Sequence, residues 1–160
     1  MDAVDSAKQS AVSGMEMFLR NFSHIPDEKL DWTPAPTAKS AIRIAAHTAL
    51  YAGRFAHMIR DRRLPVPENL EAWLEGRNAE EAAITTRDQV EVAFREGTAE
   101  LLAALDALTP EDLDLSLDSG QGWSILMRQF IGIPGMHANL HTGQIDYLQT
   151  CWDDQQVYVG

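Results

Sequence analysis

The sequence predicts an all-helical fold, a four-helix bundle, and three observations lead to this prediction. In four long stretches the apolar residues recur every three or four positions, which is the period of an amphipathic helix. No stretch alternates like a strand for long. Prolines follow the ends of the first three stretches. Because such helices bury their apolar faces against one another, we expect one helix-bundle domain that spans residues 1–160.

The first two helices are expected at residues 2–22 and 41–61. A polar connection that begins near Pro26 separates them. Ser40 is a suitable N-cap for the second helix, because a serine hydroxyl can accept an otherwise unpaired backbone N–H of the first turn. The following segment, residues 68–84, is ambiguous between a connection and a short helix that covers the bundle.

The third and fourth helices are expected at residues 87–108 and 123–151. Thr86 and Gln89 have the spacing of a capping box at the start of the third helix. Pro134 lies inside the fourth pattern and removes a backbone donor. The sequence therefore predicts either a kink at this proline or a restart of the helix with the proline in its first turn.

Charge and cysteine content restrict the class of protein. The 160 residues include 13 Lys and Arg against 24 Asp and Glu, a net charge of −11, which would repel a phosphate backbone or an anionic membrane. No apolar run approaches the roughly 18 residues of a membrane-spanning helix, and the N-terminus lacks the positive start of a signal peptide. Cys151 is the single cysteine, so no disulfide framework is expected. These features predict a cytoplasmic protein with neither nucleic-acid nor membrane partners.

Two histidines on the fourth helix form a candidate metal-binding pair. His137 and His141 lie four residues apart, so their side chains point the same way about 6 Å apart. Both fall within the predicted apolar stripe, where a neutral imidazole needs a hydrogen-bond partner. His47, in the middle of the second helix, could supply a third ligand from a facing helix. Three imidazoles with open positions are typical of a catalytic metal site.

Two other interpretations of these histidines stay open, namely core residues with satisfied hydrogen bonds and metal-free polar catalysis. Ala138 stands where a zinc peptidase helix carries its glutamate base, which excludes that class of enzyme. Gln144 projects about 60° from His141 and about 20° from His137. It either holds a ligand N–H or a bound water, or is a buried amide bonded to a facing helix.

Two further residues share the predicted helix face of His47. Tyr51 would donate a hydrogen bond to a substrate and Arg54 would bind a substrate anion; alternatively, they are a packed tyrosine and an arginine that reaches solvent at the bundle rim. His57 lies near the arginine-rich end of the helix, where we expect a solvated partner of the helix dipole. His24 lies in the first connection and is not expected to reach the site.

Together these residues resemble the DinB/YfiT-like superfamily of small helix-bundle proteins. The resemblance rests on the order of its features. The segment Leu30-Asp31-Trp32-Thr33-Pro34-Ala35-Pro36 precedes a helix that carries His47, and His137-Ala138-Asn139-Leu140-His141-Thr142-Gly143-Gln144-Ile145 follows about 90 residues later. The chain departs from the commoner family pattern at Thr37-Ala38-Lys39-Ser40, which replaces a Gly-Lys-Trp-Ser turn, and at Pro134-Gly135, which interrupts the approach to His137.

The resemblance implies an up-down-down-up order of the four helices and a divalent ion, nickel or zinc, bound by His47, His137 and His141. Characterised relatives include transferases and isomerases that use a low-molecular-weight thiol, so it implies a metal-dependent enzyme of this kind acting on a small molecule. A metal-dependent hydrolase and a non-catalytic metal-binding stress or interaction protein are the alternatives.

The resemblance also implies a homodimer. The sequence adds a short tail with three apolar side chains, which could cover either a partner or the chain's own bundle. These side chains are Trp152, Val157 and Tyr158.

Overall fold

Four long helices pack around a shared core in the computed structural model of the chain, which describes residues 2–158. The elements follow one another in the order α1 (Ala3–Ser23), α2 (Ala41–Asp61), α3 (Leu70–Ala83), α4 (Arg87–Asp106), β1 (Ser116–Asp118), β2 (Ser124–Leu126), α5 (Met127–Phe130) and α6 (Ile133–Thr150). The all-helical prediction is confirmed. Met1 and residues 159–160, which the one-domain prediction includes, lie outside the described part.

The helices α2 and α4 lie side by side and run parallel. Gly53 contacts Gly97 at the middle of the pair, and one turn further along both helices His57 Nε2 lies 3.5 Å from Glu100. A parallel pair requires the chain to return along the bundle between them. The helix α3 covers this return, so the ambiguous segment at residues 68–84 is a helix, opened by Asn69, whose side chain accepts a bond from the Ala72 N–H.

The helix α1 runs antiparallel to α4. The ammonium of Lys8, near the start of α1, pairs with Asp106 at the end of α4. Two turns further along α1, Glu16 Oε1 lies 2.9 Å from Arg95 Nη1. Because α2 is parallel to α4, both run opposite to α1.

The helices α1 and α6 are parallel and unusually close. Ser10 packs against Gly135, and one turn later Gly14 packs against Ala138. A Cβ atom at Gly135 would lie 2.8 Å from the backbone carbon of Ser10, so glycine is required for this approach. With α6 parallel to α1, the order is up-down-down-up, as the resemblance implied.

The core consists of two adjoining apolar clusters along the bundle. One is centred on three aromatic rings, where Phe18 stacks on Phe22 and meets Phe94 edge-on at 5.8 Å. The other lies towards the hairpin and includes Phe55 and Phe130. Within residues 2–158, no helix is both long enough and apolar enough to cross a bilayer.

The prediction of one fourth helix over residues 123–151 is wrong for residues 123–126 and for the break at residues 131–132, and the prediction of a chain without strands is wrong for the segment 116–126. Residues 116–132 form the antiparallel hairpin β1–β2, the single turn α5 and a break, and only then does α6 begin. Gly120 and Gly122 have φ of +69° and +84°, a backbone region that suits glycine and allows the tight connection. Pro134 lies in the first turn of α6, so the restart, rather than the kink, is confirmed.

Ser40 stands at the N-cap of α2 as predicted, but its hydroxyl makes no capping bond. The backbone N–H of Ile42 instead donates to the carbonyl of Leu30 at 3.0 Å. A carbonyl from the preceding connection thus satisfies the donor that the hydroxyl was expected to bind. The predicted capping box of Thr86 and Gln89 is present at the start of α4.

The apolar tail lies partly against the chain's own bundle. Trp152 meets Trp32 edge-on at 5.5 Å between ring centroids, and Tyr158 stacks on His24 at 3.8 Å. Val157 is exposed. Both aromatic rings are therefore occupied within one chain, and the homodimer stays a prediction.

The close contact between α2 and α4 predicts a large difference between two glycine substitutions. A Cβ at Gly97 would lie 2.7 Å from the backbone nitrogen of Gly53, whereas a Cβ at Gly53 would lie 3.7 Å from its nearest neighbour. We expect Gly97→Ala to lower the free energy of unfolding by about 1–3 kcal/mol. Gly53→Ala should leave it unchanged or raise it by up to about 1 kcal/mol, since alanine favours the helix. Urea unfolding measures both, and equal effects would contradict the packing described.

Candidate metal centre

Three histidines from two facing helices converge at one point. His47 from α2 and His137 and His141 from α6 each place a ring nitrogen within 4.8 Å of the others, the one group of potential metal ligands found within residues 2–158. His137 Nε2 lies 3.3 Å from His47 Nε2 and 3.1 Å from His141 Nε2. The antiparallel packing of α2 against α6 therefore brings together the three residues that the sequence singled out.

Hydrogen bonds determine which ring nitrogens face the centre. His47 Nδ1 lies 2.8 Å from Glu81 Oε1, and His141 Nδ1 lies 2.7 Å from Gln144 Oε1. A carboxylate oxygen and an amide oxygen can only accept, so both Nδ1 atoms donate their protons outwards. The Nε2 atoms of His47 and His141 consequently direct lone pairs towards the centre.

The nitrogen spacing matches a divalent ion. A proton on His137 Nε2 can point at only one of its two neighbours, which leaves the lone pair of the other without a donor; without that proton, all three lone pairs face and repel one another. A cation between the three nitrogens removes this repulsion. In a tetrahedral site with metal–nitrogen bonds of about 2.0–2.1 Å, ligand nitrogens lie roughly 3.3 Å apart. The distances of 3.1 and 3.3 Å are close to this value, so the donor set fits a zinc-sized or nickel-sized ion.

Glu81 on α3 is a site residue that sequence reasoning missed. Its side chain is only 3% exposed, and besides His47 it binds Lys39 Nζ at 3.3 Å and Arg54 Nη1 at 3.4 Å. A signal was available, because Trp73, Arg77 and Glu81 recur every four residues and so share one face of α3. The carboxylate orients the His47 ring and adds negative charge behind it.

The cluster is neutral near pH 7. Burial lowers the pKa of His137 to about 3, helped by the neighbouring His141 and His47. Burial also lowers the pKa of His47 and of His141, against the opposing hydrogen bonds from Glu81 and Gln144. Neutral imidazoles are the form that binds a metal.

Glu81 itself remains ionised behind this neutral cluster. Burial raises the pKa of Glu81, but the hydrogen bond from His47 and the charge of Lys39 outweigh it, so the pKa lies below its usual value. A carboxylate therefore faces the His47 N–H at neutral pH, which strengthens that hydrogen bond.

The histidines lie at the edge of the buried face of α6 rather than inside it, which corrects the predicted stripe. The buried positions of α6 include Ala138, Thr142 and Ile145, each one residue beyond a predicted stripe position. Leu140, which shares the apolar stripe that the sequence predicts for His137 and His141, is 63% exposed. Because α6 begins anew at residue 133, the direction of its side chains is not fixed by the residues before the break. The apolar period of residues 123–132 therefore does not predict which face of α6 is buried. As a result the cluster borders solvent.

The other predicted site residues divide into those near the cluster and those away from it. The Tyr51 ring centroid lies 4.5 Å from that of His47 and 5.0 Å from that of His137. Arg54 binds Glu80 Oε2 at 2.7 Å as well as Glu81, so carboxylates of α3 already occupy its guanidinium. Neither His57, which faces solvent and Glu100, nor His24 takes part in the cluster.

An open groove of about 440 Å³ lies beside two residues linked to the cluster, although none of the three histidines lines it. Gln144, which binds His141, lines it together with Lys39, which binds Glu81. Exposed apolar groups of α6, Leu140 and Tyr147, form another wall. The groove thus combines an ammonium, an amide and apolar surface, as a pocket for a small molecule does.

Known proteins share the fold of this chain. A family model described as the DinB superfamily matches residues 13–145. No curated protein matches the chain. The solved structure of a DinB-like protein from Bacillus subtilis, YjoA, is similar, with 19% identity, 96% of each chain covered and a TM-score of 0.66.

Two further solved structures share the fold. One is YfiT from Bacillus subtilis, described as a probable metal-dependent hydrolase with an unusual four-helix bundle topology, with 15% identity, a TM-score of 0.71 and coverage of 94% of this chain and 87% of YfiT. The other is the mycothiol-dependent maleylpyruvate isomerase, with 16% identity and a TM-score of 0.68. That match covers 89% of this chain but only 60% of the isomerase. At these identities the likeness establishes the fold alone.

Proposed function

Since this chain belongs to the DinB superfamily, we propose that it is a metal-dependent enzyme whose divalent ion is bound by His47, His137 and His141. The observation that carries the proposal is the convergence of three Nε2 atoms, two of them deprotonated by the hydrogen bonds at their Nδ1 atoms. Zinc and nickel both suit imidazole ligands, and availability decides between them as much as affinity does.

Thiol-dependent transfer or isomerisation of a small molecule is the reaction that the site supports best. A divalent ion there would supply Lewis acidity, which lowers the pKa of a bound water and ionises a bound thiol outright. Glu81 is engaged by His47, Lys39 and Arg54, so it acts as an anchor and not as a general base. A thiol needs no such base, whereas attack by water gains from one.

Three groups of the chain have defined tasks in this proposal. Gln144 accepts a hydrogen bond from His141 Nδ1 and so holds the His141 ring. The Gln144 side chain also lines the groove. Lys39 places an ammonium at the groove wall, where it would attract a negatively charged part of the substrate. Tyr51 packs against two of the three imidazoles and limits their movement.

Hydrolysis is the second candidate, supported by the description of YfiT as a metal-dependent hydrolase. A comparison of nucleophiles separates the two candidates. The zinc- or nickel-loaded protein is assayed with activated esters and with alkyl halides, each with and without glutathione, mycothiol or bacillithiol. Turnover that requires a thiol supports the transferase, and turnover in water alone supports the hydrolase.

Two histidine variants test whether either activity depends on the centre. His141→Ala removes a proposed ligand, and His57→Ala removes an exposed histidine of α2 outside the cluster. The first should abolish turnover and the second should preserve it. Equal activity in both variants, or full activity after removal of the metal by a chelator, would reject a metal-dependent enzyme. Tight metal binding without any turnover would instead support the non-catalytic alternative.

The Glu81 carboxylate predicts a measurable effect on metal affinity. Glu81→Gln keeps an oxygen that can accept the hydrogen bond from His47 Nδ1. It removes the negative charge that strengthens the bond from the Nε2 lone pair of His47 to a metal. We expect zinc affinity to fall by about 10- to 100-fold, measured by competition with a chromophoric chelator. Glu80→Gln, which changes an exposed neighbour on the same helix, should leave the affinity unaltered. Equal affinities of the two variants would contradict the role given to Glu81.

A further inference from the structure

The helix α3 is attached to the bundle without a share in its apolar core. Among the described residues, no side chain of α3 belongs to either of the two apolar clusters. Its two leucines, Leu70 and Leu74, are 51% and 46% exposed, and Glu81 is its one buried residue. Segments with few buried apolar contacts open at a lower free energy than the core does. We therefore expect α3 to detach more readily than the four long helices.

The polar attachment of α3 lies on the side of α2. Arg43 Nη2 donates to the carbonyl of Asn78 at 3.2 Å, and Arg54 Nη2 lies 2.7 Å from Glu80 Oε2. Towards α4, by contrast, α3 borders an open cavity of about 490 Å³, which residues of α2, α3 and α4 line. Ion pairs with exposed charges contribute little to stability. The buried carboxylate of Glu81 is therefore the principal polar attachment of α3.

Glu81 connects this attachment to the histidine cluster. Its carboxylate accepts a hydrogen bond from His47 Nδ1 at 2.8 Å, and it also pairs with Lys39 and Arg54. When α3 detaches, His47 loses both the acceptor that orients its ring and the negative charge behind it. Loss of such a partner typically lowers metal affinity about 10- to 100-fold. A metal at the three histidines should therefore bind the chain with α3 docked more tightly than the chain with α3 detached.

The helix α3 also covers one side of the candidate site. Besides the contact of Glu81 with His47, the guanidinium carbon of Arg77 lies 5.5 Å from the ring centroid of Tyr51. Tyr51 in turn packs against His137. Detachment of α3 thus uncovers the sides of His47 and Tyr51 that face this helix.

We propose that α3 is a cover whose docking is coupled to metal binding through the hydrogen bond between Glu81 and His47. The coupling rests on the proposed function, because it requires a metal at the three histidines. Linkage is reciprocal, so the factor by which docked α3 strengthens metal binding is also the factor by which bound metal favours docked α3. In loaded protein α3 should therefore detach about 10- to 100-fold less often than in metal-free protein.

Hydrogen exchange measured by mass spectrometry at pH 7 tests this coupling on metal-free and zinc-saturated protein. Amides of residues 70–83 should exchange faster than those of α4 in the metal-free protein, and zinc should slow them about 10- to 100-fold. The hairpin β1–β2 is the control, because within residues 2–158 the clustered histidines bond only to Glu81, Gln144 and one another. Its exchange should not respond to zinc. Trypsin cleavage after Arg77, the one basic residue of α3, gives a second readout of the same opening.

A pair of glutamate variants identifies the residue that carries the coupling. Glu81→Gln should exchange α3 faster than the wild type without metal and should lose most of the zinc effect, whereas Glu80→Gln, at an exposed position, should keep that effect. Should Glu81→Gln fail to fold, the wild type with and without zinc decides.

A chelator competition run in parallel measures whether zinc is bound. Absence of zinc binding by the wild type would overturn the proposed function and the coupling with it. Bound zinc with unchanged exchange in α3, equal slowing of exchange in the hairpin, or an equal zinc effect in the two glutamate variants would overturn the coupling alone.

Discussion

Replacement of His137 by alanine is expected to abolish stoichiometric binding of zinc or nickel. The Nε2 atom of His137 lies 3.3 Å from that of His47 and 3.1 Å from that of His141. Its loss therefore removes the nitrogen that is close to both other ligands. Two imidazoles on opposite helices would remain. The loss of affinity should exceed the roughly 10- to 100-fold that follows from removal of an outer hydrogen-bond partner.

Elemental analysis after dialysis against a weak chelator measures this effect, and thermal unfolding with and without added metal provides a second readout. The wild type should retain about one ion per chain and unfold at a higher temperature when loaded, since an ion bound only to the folded state stabilises it. His57→Ala should behave as the wild type, because this histidine lies outside the cluster. Retention of one tightly held ion by His137→Ala would show that the histidines are not the binding site.

Acidification is expected to destabilise the metal-free protein from about pH 6.5 downwards. Burial holds the pKa of folded His137 at about 3, whereas an unfolded histidine titrates near 6.5. Between these values the unfolded chain binds a proton that the folded chain refuses, so each decrease in pH favours unfolding. The stabilisation is complete above about pH 6.5 and is lost progressively towards pH 3. The lowered pKa values of His47 and His141 act in the same direction.

Melting temperatures of metal-free protein from pH 8 to pH 4 check this prediction, with His137→Asn as the comparison. Asparagine does not titrate, so the variant should lose less stability over the same range, whatever its stability at pH 8. The increase in melting temperature on adding zinc should shrink as the pH falls, because protons compete for the ligand nitrogens. Identical pH profiles for the wild type and the variant would mean that His137 is not protonated on unfolding.

The long helices could be predicted from the sequence because each carries its own apolar period and its own end signals. The bounds of α2 were predicted as 41–61, which is where the helix lies, since both its ends are marked locally. The hairpin could not be predicted in this way. Strands of three residues are too short to show an alternation, and their place depends on contacts such as that of Met127 with Leu115.

The candidate site required information that periodicity does not contain. The spacing of His137 and His141 is local, but their approach to His47 depends on which face of α2 meets α6, and the family resemblance supplied that pairing. Glu81 is one of many acidic residues in the chain, and only the docking of α3 distinguishes it from its exposed neighbour Glu80. Tertiary contacts, which composition does not reveal, decide that Glu81 is buried against His47 whereas Glu80 is exposed to solvent.

The parallel packing of α1 against α6 also determines when the protein can fold during its synthesis. Ser10 and Gly135 lie about 125 residues apart in sequence, so the side of α1 that packs against α6 remains uncovered until nearly the whole chain has been translated. At about 5–20 residues per second, this interval lasts roughly 6–25 s. Neither the core nor the histidine cluster can therefore be completed while the chain is still being translated. During that time the exposed apolar side chains of α1 must be protected from aggregation.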